Sequence, residues 1–395
     1  MPGLAELPPE LCLLVVSQLP ASDLCSLRAS CSALRNICDL ETVWVSRCRQ
    51  DFNLHIAVDI PAKHLYQNLL FKYGRLLGTW QRHNLKFYGG LLRVYYEAET
   101  GGISFENILP APDIYQDVRR QKFLTLSLTA DHTEVAVENH DLLTFRERAV
   151  IRLEEDEEEE PELSVIVPSL TEYISSPAEW RELLETFREM DTSTNTETAI
   201  MKFVSVFHNR DIFLYRRVLT PSWCQQYHGT QSSVSSILSA LAPGVFRGHY
   251  GHHGIELVHL QDGQAVKITG DPNVPFNQVT FRVTSSQCLH LSLEQQASVI
   301  QVREATEAAG DWPSQTVPET GRRTEFLVPE GMAERIPVTW RDCLGRWPAQ
   351  VQIASQMFQD SQFILANFIL FSPDEFAVML LDLNTISLYH RAKEI

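Results

Sequence analysis

The chain has 395 residues with 44% hydrophobic and 9% aromatic content, enough apolar material for a large core or for one large domain beside a small one. Its 18 glycines and 20 prolines are scattered and its aromatics plentiful, which excludes a collagen, a coiled-coil rod and a wholly disordered chain. Fifty acidic residues against 33 basic ones give a net charge of −17, which argues against nucleic acid as a partner, because such binders need a basic footprint.

In chain order, Leu7-Pro8-Pro9-Glu10 opens a short helix, since proline is tolerated in a first turn and Glu10 suits the positive end of the dipole. Leu11, Leu14, Val15 and Leu19 follow at helical spacing until Pro20 stops the helix. Ser22 or Asp23 is expected to cap a second helix carrying Leu24, Leu27, Cys31 and Leu34, and Thr42 a further one carrying Trp44, Cys48 and Phe52. Helices this short cannot bury a core of their own, so several apolar side chains should remain for a partner. Five of the eight cysteines (Cys12, Cys25, Cys31, Cys38, Cys48) lie in this segment without any Cys-x-x-Cys pair. They read as reduced, partly buried thiols, which places the protein in the cytosol or nucleus. The opening residues Met1 to Glu6 lack a basic region, so no secretory signal is expected.

A helix is predicted from His64 to Trp80, where Leu65, Leu69, Tyr73, Leu76, Leu77 and Trp80 keep the helical period. Beyond it the pattern turns to β. Strand-like runs are Leu91 to Tyr96, Lys122 to Leu128, Met201 to Phe207, Phe213 to Leu219, Ile255 to Leu260, Ala265 to Ile268, Val279 to Val283, Phe363 to Phe371, Phe376 to Leu383 and Ile386 to Tyr389. Short strands divided by Gly, Pro and Asn-Asp turns predict a barrel or sandwich. One helix, Ser176 to Met190, interrupts them with Trp180, Leu183, Leu184 and Phe187 on its apolar face. The run Glu154 to Glu162 holds eight carboxylates and is expected to stay solvated, and 305–323 reads as a flexible surface loop. No stretch approaches the roughly 18 apolar residues a membrane helix needs. The fold class is α+β: an all-α module over 1–55, a linking helix over 56–82 and a mostly antiparallel, barrel-like β domain with a few helices over 83–395.

Motifs for bond-making chemistry are weak. His249, His252 and His253 lie close together, but Gly248, Gly251 and Gly254 make a helix there improbable, so turn histidines on a barrel rim are expected and no metal is assigned. There is no Gly-x-Ser-x-Gly elbow and no Gly-rich phosphate or dinucleotide loop, so neither enzymatic activity nor a cofactor is expected. One segment combines strand ends with turns bearing imidazoles, a phenol, a lysine and a carboxylate: Tyr250, His252 and His253, then Lys267, Thr269, Asp271 and Asn273. Convergent polar groups at a barrel mouth make a binding pocket, although Gly270-Asp271-Pro272-Asn273 also reads as a plain tight turn.

Residues 7 to 52, from Leu7-Pro8-Pro9-Glu10-Leu11 through Leu19-Pro20, Asp23-Leu24, Val43-Trp44 and Arg47-Cys48-Arg49, resemble an F-box. The remainder resembles one F-box family, that of F-box only protein 31. The matching blocks are Leu77-Gly78-Thr79-Trp80-Gln81, Tyr88-Gly89-Gly90-Leu91-Leu92, Tyr250-Gly251-His252-His253-Gly254, Lys267 through Asn273, and the hairpin from Phe368-Ile369-Leu370-Phe371 to Ser387-Leu388-Tyr389. The resemblance implies a receptor that docks on Skp1, joins cullin and RING subunits of a ubiquitin ligase, and binds the C-terminal ends of target proteins, D-type cyclins and carboxamide-ended chains among them. Leu7, Pro8, Pro9, Leu11, Leu14, Leu24, Leu27, Val43 and Trp44 are then the candidate Skp1-facing or module-core set. The family's Cys/His zinc site is not carried over, because residues 118–150 hold His132 and His140 but no cysteine.

The resemblance favours the functional reading of the Tyr250 to Asn273 segment. A carboxylate at a pocket base accepts a hydrogen bond from a terminal amide and repels a terminal carboxylate, so Asp271 is the expected discriminator, with Tyr250, His252 and Thr269 as orienters. The alternatives are a small-ligand-binding barrel whose helical module serves a non-ligase partner, and a hydrolase built around His252, His253 and Asp271.

Overall fold

The computed structural model describes residues 7–57, 59–83, 87–140, 150–154, 162–166, 185, 212–217, 243–285, 287–310 and 323–393. Four helices open the chain: α1 (Pro9–Val16), α2 (Ala21–Ser30), α3 (Ser32–Cys38) and α4 (Glu41–Phe52). Pro9 sits in the first turn of α1, where its missing N–H costs nothing. The expected caps do not form: α2 follows Pro20 and α4 follows Leu40, neither with a side-chain cap. Asn53 ends α4 in the left-handed region (φ 56°), its N–H reaching the Arg49 carbonyl at 3.0 Å.

Val16, Leu24, Cys38 and Val43 form the small core of these helices. Trp44 and Cys48 instead join a larger cluster with Leu65, Tyr66, Leu69 and Trp80, so α4 ties the module to the rest of the chain. The linking helix, α5 (62–73), has a π-helical centre at Leu65–Leu70. The predicted helix to Trp80 stops here. Gly78 takes φ 134°, a backbone no helix holds, and Trp80 lies in a strand with its indole donating to the Leu76 carbonyl at 2.7 Å.

That strand, β1 (Gly78–Arg82), is central to an eight-stranded antiparallel sheet with β2 (Gly90–Glu97), β3 (Gly102–Leu109), β4 (Arg119–Leu128), β5 (Val135–Asn139), β6 (Val150–Glu154), β7 (Glu162–Ile166) and β8 (Ile212–Arg217). Its order is β5-β4-β3-β2-β1-β8-β7-β6. The acidic run connects β6 to β7, where Glu154 faces Glu162 in register; residues 155–161 between them lie outside the described ones. So do the predicted strand Met201 to Phe207 and, apart from Glu185, the predicted helix Ser176 to Met190.

The second sheet closes on itself. β9 (Gly244–His249), β10 (Ile255–Gln261), β11 (Gln264–Lys267) and β12 (Val279–Val283) run as a meander. An insertion follows, with α6 (Leu293–Ala297), α7 (Val299–Gly310), β13 (Thr324–Glu325), β14 (Ala333–Glu334) and β15 (Asp342–Cys343). The meander resumes with β16 (Gly345–Ser355), β17 (Gln359–Ser372), β18 (Glu375–Leu380) and β19 (Thr385–Arg391). β12 pairs with β16 and β19 returns to β9, closing an eight-stranded barrel. At this strand number side chains fill the interior. Phe246, Val258, Phe281, Trp347, Phe368, Phe376 and Tyr389 do so here, with Phe376 and Tyr389 stacked at 4.7 Å.

Outward-facing Ile369, Phe371, Ala377 and Leu388 are covered by Val302, Phe326 and Met332 of the insertion. Strands β17 and β18 are thus buried on both faces, which explains their unbroken apolar runs. Helix α7 also corrects the expected loop, since 305–310 are helical and only 311–322 lie outside the described residues. Among the described residues, no helix is long and apolar enough to cross a membrane.

Candidate functional site

The nine residues singled out in the helical module divide into two groups. Leu24, Val43 and Trp44 are buried, so of the two roles left open for them they take the interior one rather than an adaptor-facing one. Pro8, Pro9, Leu11 and Leu14 are exposed, and Leu7 and Leu27 half-buried. Leu11 is 48% and Leu14 63% exposed. Spacings of three and four along α1 put Leu11, Leu14 and Val15 on one stripe, while Cys12 and Val16 face inward. An eight-residue helix has only two turns, so it cannot turn every apolar side chain to one core.

The candidate substrate-binding residues lie at one end of the barrel. Gly251–His253 form a 3₁₀ turn between β9 and β10, as the three glycines demand. The β11–β12 connection carries Asp271 in a self-bonded turn: one carboxylate oxygen accepts the backbone N–H groups of Asn273 (2.7 Å) and Val274 (2.8 Å). Asn273 holds the turn against its neighbours, donating to the Ala354 carbonyl at 2.7 Å and lying 2.9 Å from His253 Nε2. Phe358 N–H reaches the Pro272 carbonyl at 2.8 Å, and Phe276 N–H the Phe87 carbonyl at 2.9 Å, so both the barrel rim and the β1–β2 connection brace this loop. Gly270 sits so close to the Pro275 and Phe276 backbones that no side chain fits.

Beneath the loop, Lys267 is fully buried (0% exposed) and pairs with both Asp271 and Glu256, the latter at 2.7 Å. Its ammonium lies 4.0 Å from the centre of the Tyr250 ring, whose hydroxyl is 3.0 Å from that of Thr280. One cation faces two carboxylates, and the environment decides which stays ionised. Burial alone would raise the Asp271 pKa, but Lys267, His253 and a backbone N–H hold it well below the usual range. Glu256 lacks such backbone donors, so burial pushes it up to about 8 and it keeps its proton near neutrality. Burial would lower the Lys267 pKa; the two carboxylates outweigh it and raise it. Burial also lowers His253 to about 4, leaving it neutral.

Tyr250, His253, Lys267, Asp271 and Asn273 therefore converge in one network. Thr269 stands apart, its hydroxyl accepting the Leu257 N–H at 2.8 Å, and exposed His252 lies against His253 with ring centres 3.9 Å apart. The expectation that Asp271 offers a free acceptor needs correction: both its oxygens are engaged within the fold. Glu256 and Thr280 were absent from the sequence-derived set. Strand parity could have found Glu256, because it lies two and four residues before the inward-facing Val258 and Leu260.

The zinc site of the resembled family does not fit these residues. His140 Nε2 lies 2.8 Å from the Thr125 hydroxyl, and no group of three or more metal-ligating side chains forms among the described residues.

Fold and sites define a class: an F-box-like helical module carrying a closed barrel with a polar, internally braced mouth. Residues 4–50 match the family described as F-box-like, and residues 215–394, which include the whole barrel, match the Cyclin D1 binding domain. F-box only protein 31 of Mus musculus is 26% identical over 453 residues, covering 99% of this chain and 85% of the relative. The Homo sapiens protein of that name is 26% identical over 469 residues, covering 99% and 83%. F-box only protein 31-A of Xenopus laevis is 25% identical over 458 residues, covering 99% and 85%. Along nearly its whole length the chain is thus a distant relative of F-box only protein 31, and it pairs a match to an F-box-like domain with a match to a cyclin D1 binding domain.

Proposed function

We propose that this chain is the substrate-recognition subunit of an SCF-type ubiquitin ligase, docking on Skp1 and through it on cullin and RING subunits. The observation that carries this reading is the exposed stripe of Leu11, Leu14 and Val15 on an F-box-like module. Apolar area of this kind gains most by being covered by another protein. The receptor makes no bonds itself; it holds a target near the activated ubiquitin and raises the effective concentration of a target lysine. Skp1 should co-purify with the wild type and be lost from the double variant Leu11→Asp/Leu14→Asp. Retention by that variant would remove the assignment.

The barrel mouth is proposed to receive the C-terminal ends of targets, D-type cyclins and carboxamide-ended chains among them. Tyr250, His252, His253, Lys267, Thr269, Asp271 and Asn273 shape it. Selectivity follows from charge balance: Asp271 neutralises Lys267 and Glu256 holds its proton, so no unpaired cation awaits a terminal carboxylate. An amide end escapes the repulsion that an acid end meets. Peptides identical except for an amide or acid end should therefore favour the amide, and Asp271→Asn, which removes the ionised carboxylate at the mouth, should shift preference toward the acid. Equal affinities in the wild type, or an unchanged preference in the variant, would refute this mechanism.

A further inference from the structure

A second polar site lies outside the barrel wall. Arg346 precedes inward-facing Trp347 on β16, so its side chain points away from the interior and under the insertion. It is 3% exposed and lines a cavity of about 300 Å³ together with Leu289, His290, Leu291 and Cys343. From there to Ala354, where the mouth loop is anchored, is roughly 26 Å along the strand. The two sites are distinct.

What sets Arg346 apart is the poverty of its contacts. Nη2 donates to Gln296 Oε1 at 3.1 Å, an amide oxygen that also accepts the Leu327 N–H at 2.8 Å. The guanidinium lies 5.4 Å from the Phe326 ring centre. Nη1 has no hydrogen-bond partner, and no carboxylate pairs with Arg346 among the described residues. Glu325 also lines the cavity but is exposed and directs no ion pair to it. Burial lowers the arginine pKa to about 10, which leaves it charged at neutral pH. The neighbouring Cys288 thiol is no counter-ion, because burial raises its pKa.

A buried cation served by one shared neutral acceptor is less favourable than an apolar side chain of similar size. Its presence beside a cavity with two leucines is explained by an anion that occupies the cavity and completes the guanidinium. We propose that this cavity binds a small carboxylate with a short hydrocarbon body, the carboxylate pairing with the edge of the Arg346 guanidinium that lines the cavity and the hydrocarbon lying against Leu289 and Leu291. A carboxylate fits a guanidinium better than a spherical ion does, through paired planar geometry. The source is either a free acid or the acid end of a peptide. The inference does not depend on ligase function or on the mouth.

Equilibrium dialysis of the full chain with labelled butyrate tests it. Binding should saturate at one site per chain, resist competition by butyramide, and weaken about tenfold or more in Arg346→Gln, as loss of a charge-assisted hydrogen bond implies. An acetylated dipeptide ending in leucine carboxylate that competes with butyrate would identify a peptide end as the ligand; competition by free acids alone would identify a metabolite-like acid. Without ligand, Arg346→Met should melt higher than the wild type, since it removes an uncompensated buried charge, and butyrate should raise the melting temperature of the wild type only. Equal binding of butyrate and butyramide, no binding of either acid, or undiminished binding in Arg346→Gln would overturn the proposal. So would a large fall in melting temperature for Arg346→Met, which would make the guanidinium a structural strut.

Discussion

The helical module and the barrel handle apolar surface in opposite ways. The barrel closes its sheet through β9 and β19 and fills the interior with aromatic side chains; its outer wall gains a second covering from the insertion. The module has a core of four fully buried side chains and leaves two leucines and a valine of α1 in solvent. Polar groups are reversed. The barrel buries Lys267, Glu256 and Asp271 near its mouth, whereas the α1 stripe exposes hydrocarbon. Each region thus carries a group out of place by the ordinary rules of burial, and in each the misplacement marks the surface where a partner is proposed.

This contrast can be broken by substitution. Trp347→Ala or Phe376→Ala should cost about 3–5 kcal/mol in chemical denaturation, because a closed barrel cannot collapse around the cavity left behind. Leu14→Asp should change folding stability by no more than about 0.5 kcal/mol, since nothing packs over that side chain, yet weaken Skp1 binding by about 2 kcal/mol or more. A similar folding cost at both sites would erase the distinction between sealed and open regions.

The pH response of the mouth sharpens the contrast. Glu256 has its pKa raised from 4.5 to about 8 in the fold, so it binds a proton that the unfolded chain releases above pH 4.5. The stability this contributes is complete below pH 4.5 and is lost as the pH rises through about 8. Melting temperatures of Glu256→Gln relative to wild type should therefore rise steadily over that interval. His253 and His259 act in the other direction: burial lowers both from 6.5 to about 4, so their contribution is lost as the pH falls through that range. Comparison of variant with wild type cancels the histidines. A flat difference would mean that Glu256 is ionised throughout. A modest folding cost is expected in the insertion, where Ser292 and Gln295 form a reciprocal capping box on α6; Ser292→Ala should cost about 1 kcal/mol in chemical denaturation.

Much of the fold could be read directly where one physical rule dominated. Pro9 opened α1, although the helix ends at Val16 ahead of the expected stop at Pro20, and strands with apolar runs between Gly and Pro turns stood out as barrel elements. Errors arose where two periodicities overlapped. Leu76, Leu77 and Trp80 continue a helical spacing, but a turn followed by a strand satisfies the same positions once Gly78 breaks the helix. Helix α7 was hidden because its buried face uses Val302, Thr306 and Ala309, a stripe of small and polar residues, with the Thr306 hydroxyl donating to the Val302 carbonyl at 2.6 Å. Strand β16 was hidden by Pro348 and two glutamines between its inward residues. At the mouth, composition drew attention to the right turn, but the pairing of Lys267 with Glu256 and Asp271 depends on strand register across β10 and β11, which residue types alone do not encode. Likewise no local pattern marks Arg346 as unpaired; that follows only from what the insertion places over it.

The most direct measurement is co-elution of the full chain with purified Skp1 on a sizing column, run beside thermal melts of the same samples. If α1 presents an adaptor-binding face, wild type should co-elute stoichiometrically, while Leu11→Asp/Leu14→Asp should elute alone with an unchanged melting temperature. Co-elution of the intact double variant, or failure of the wild type to associate, would contradict the account.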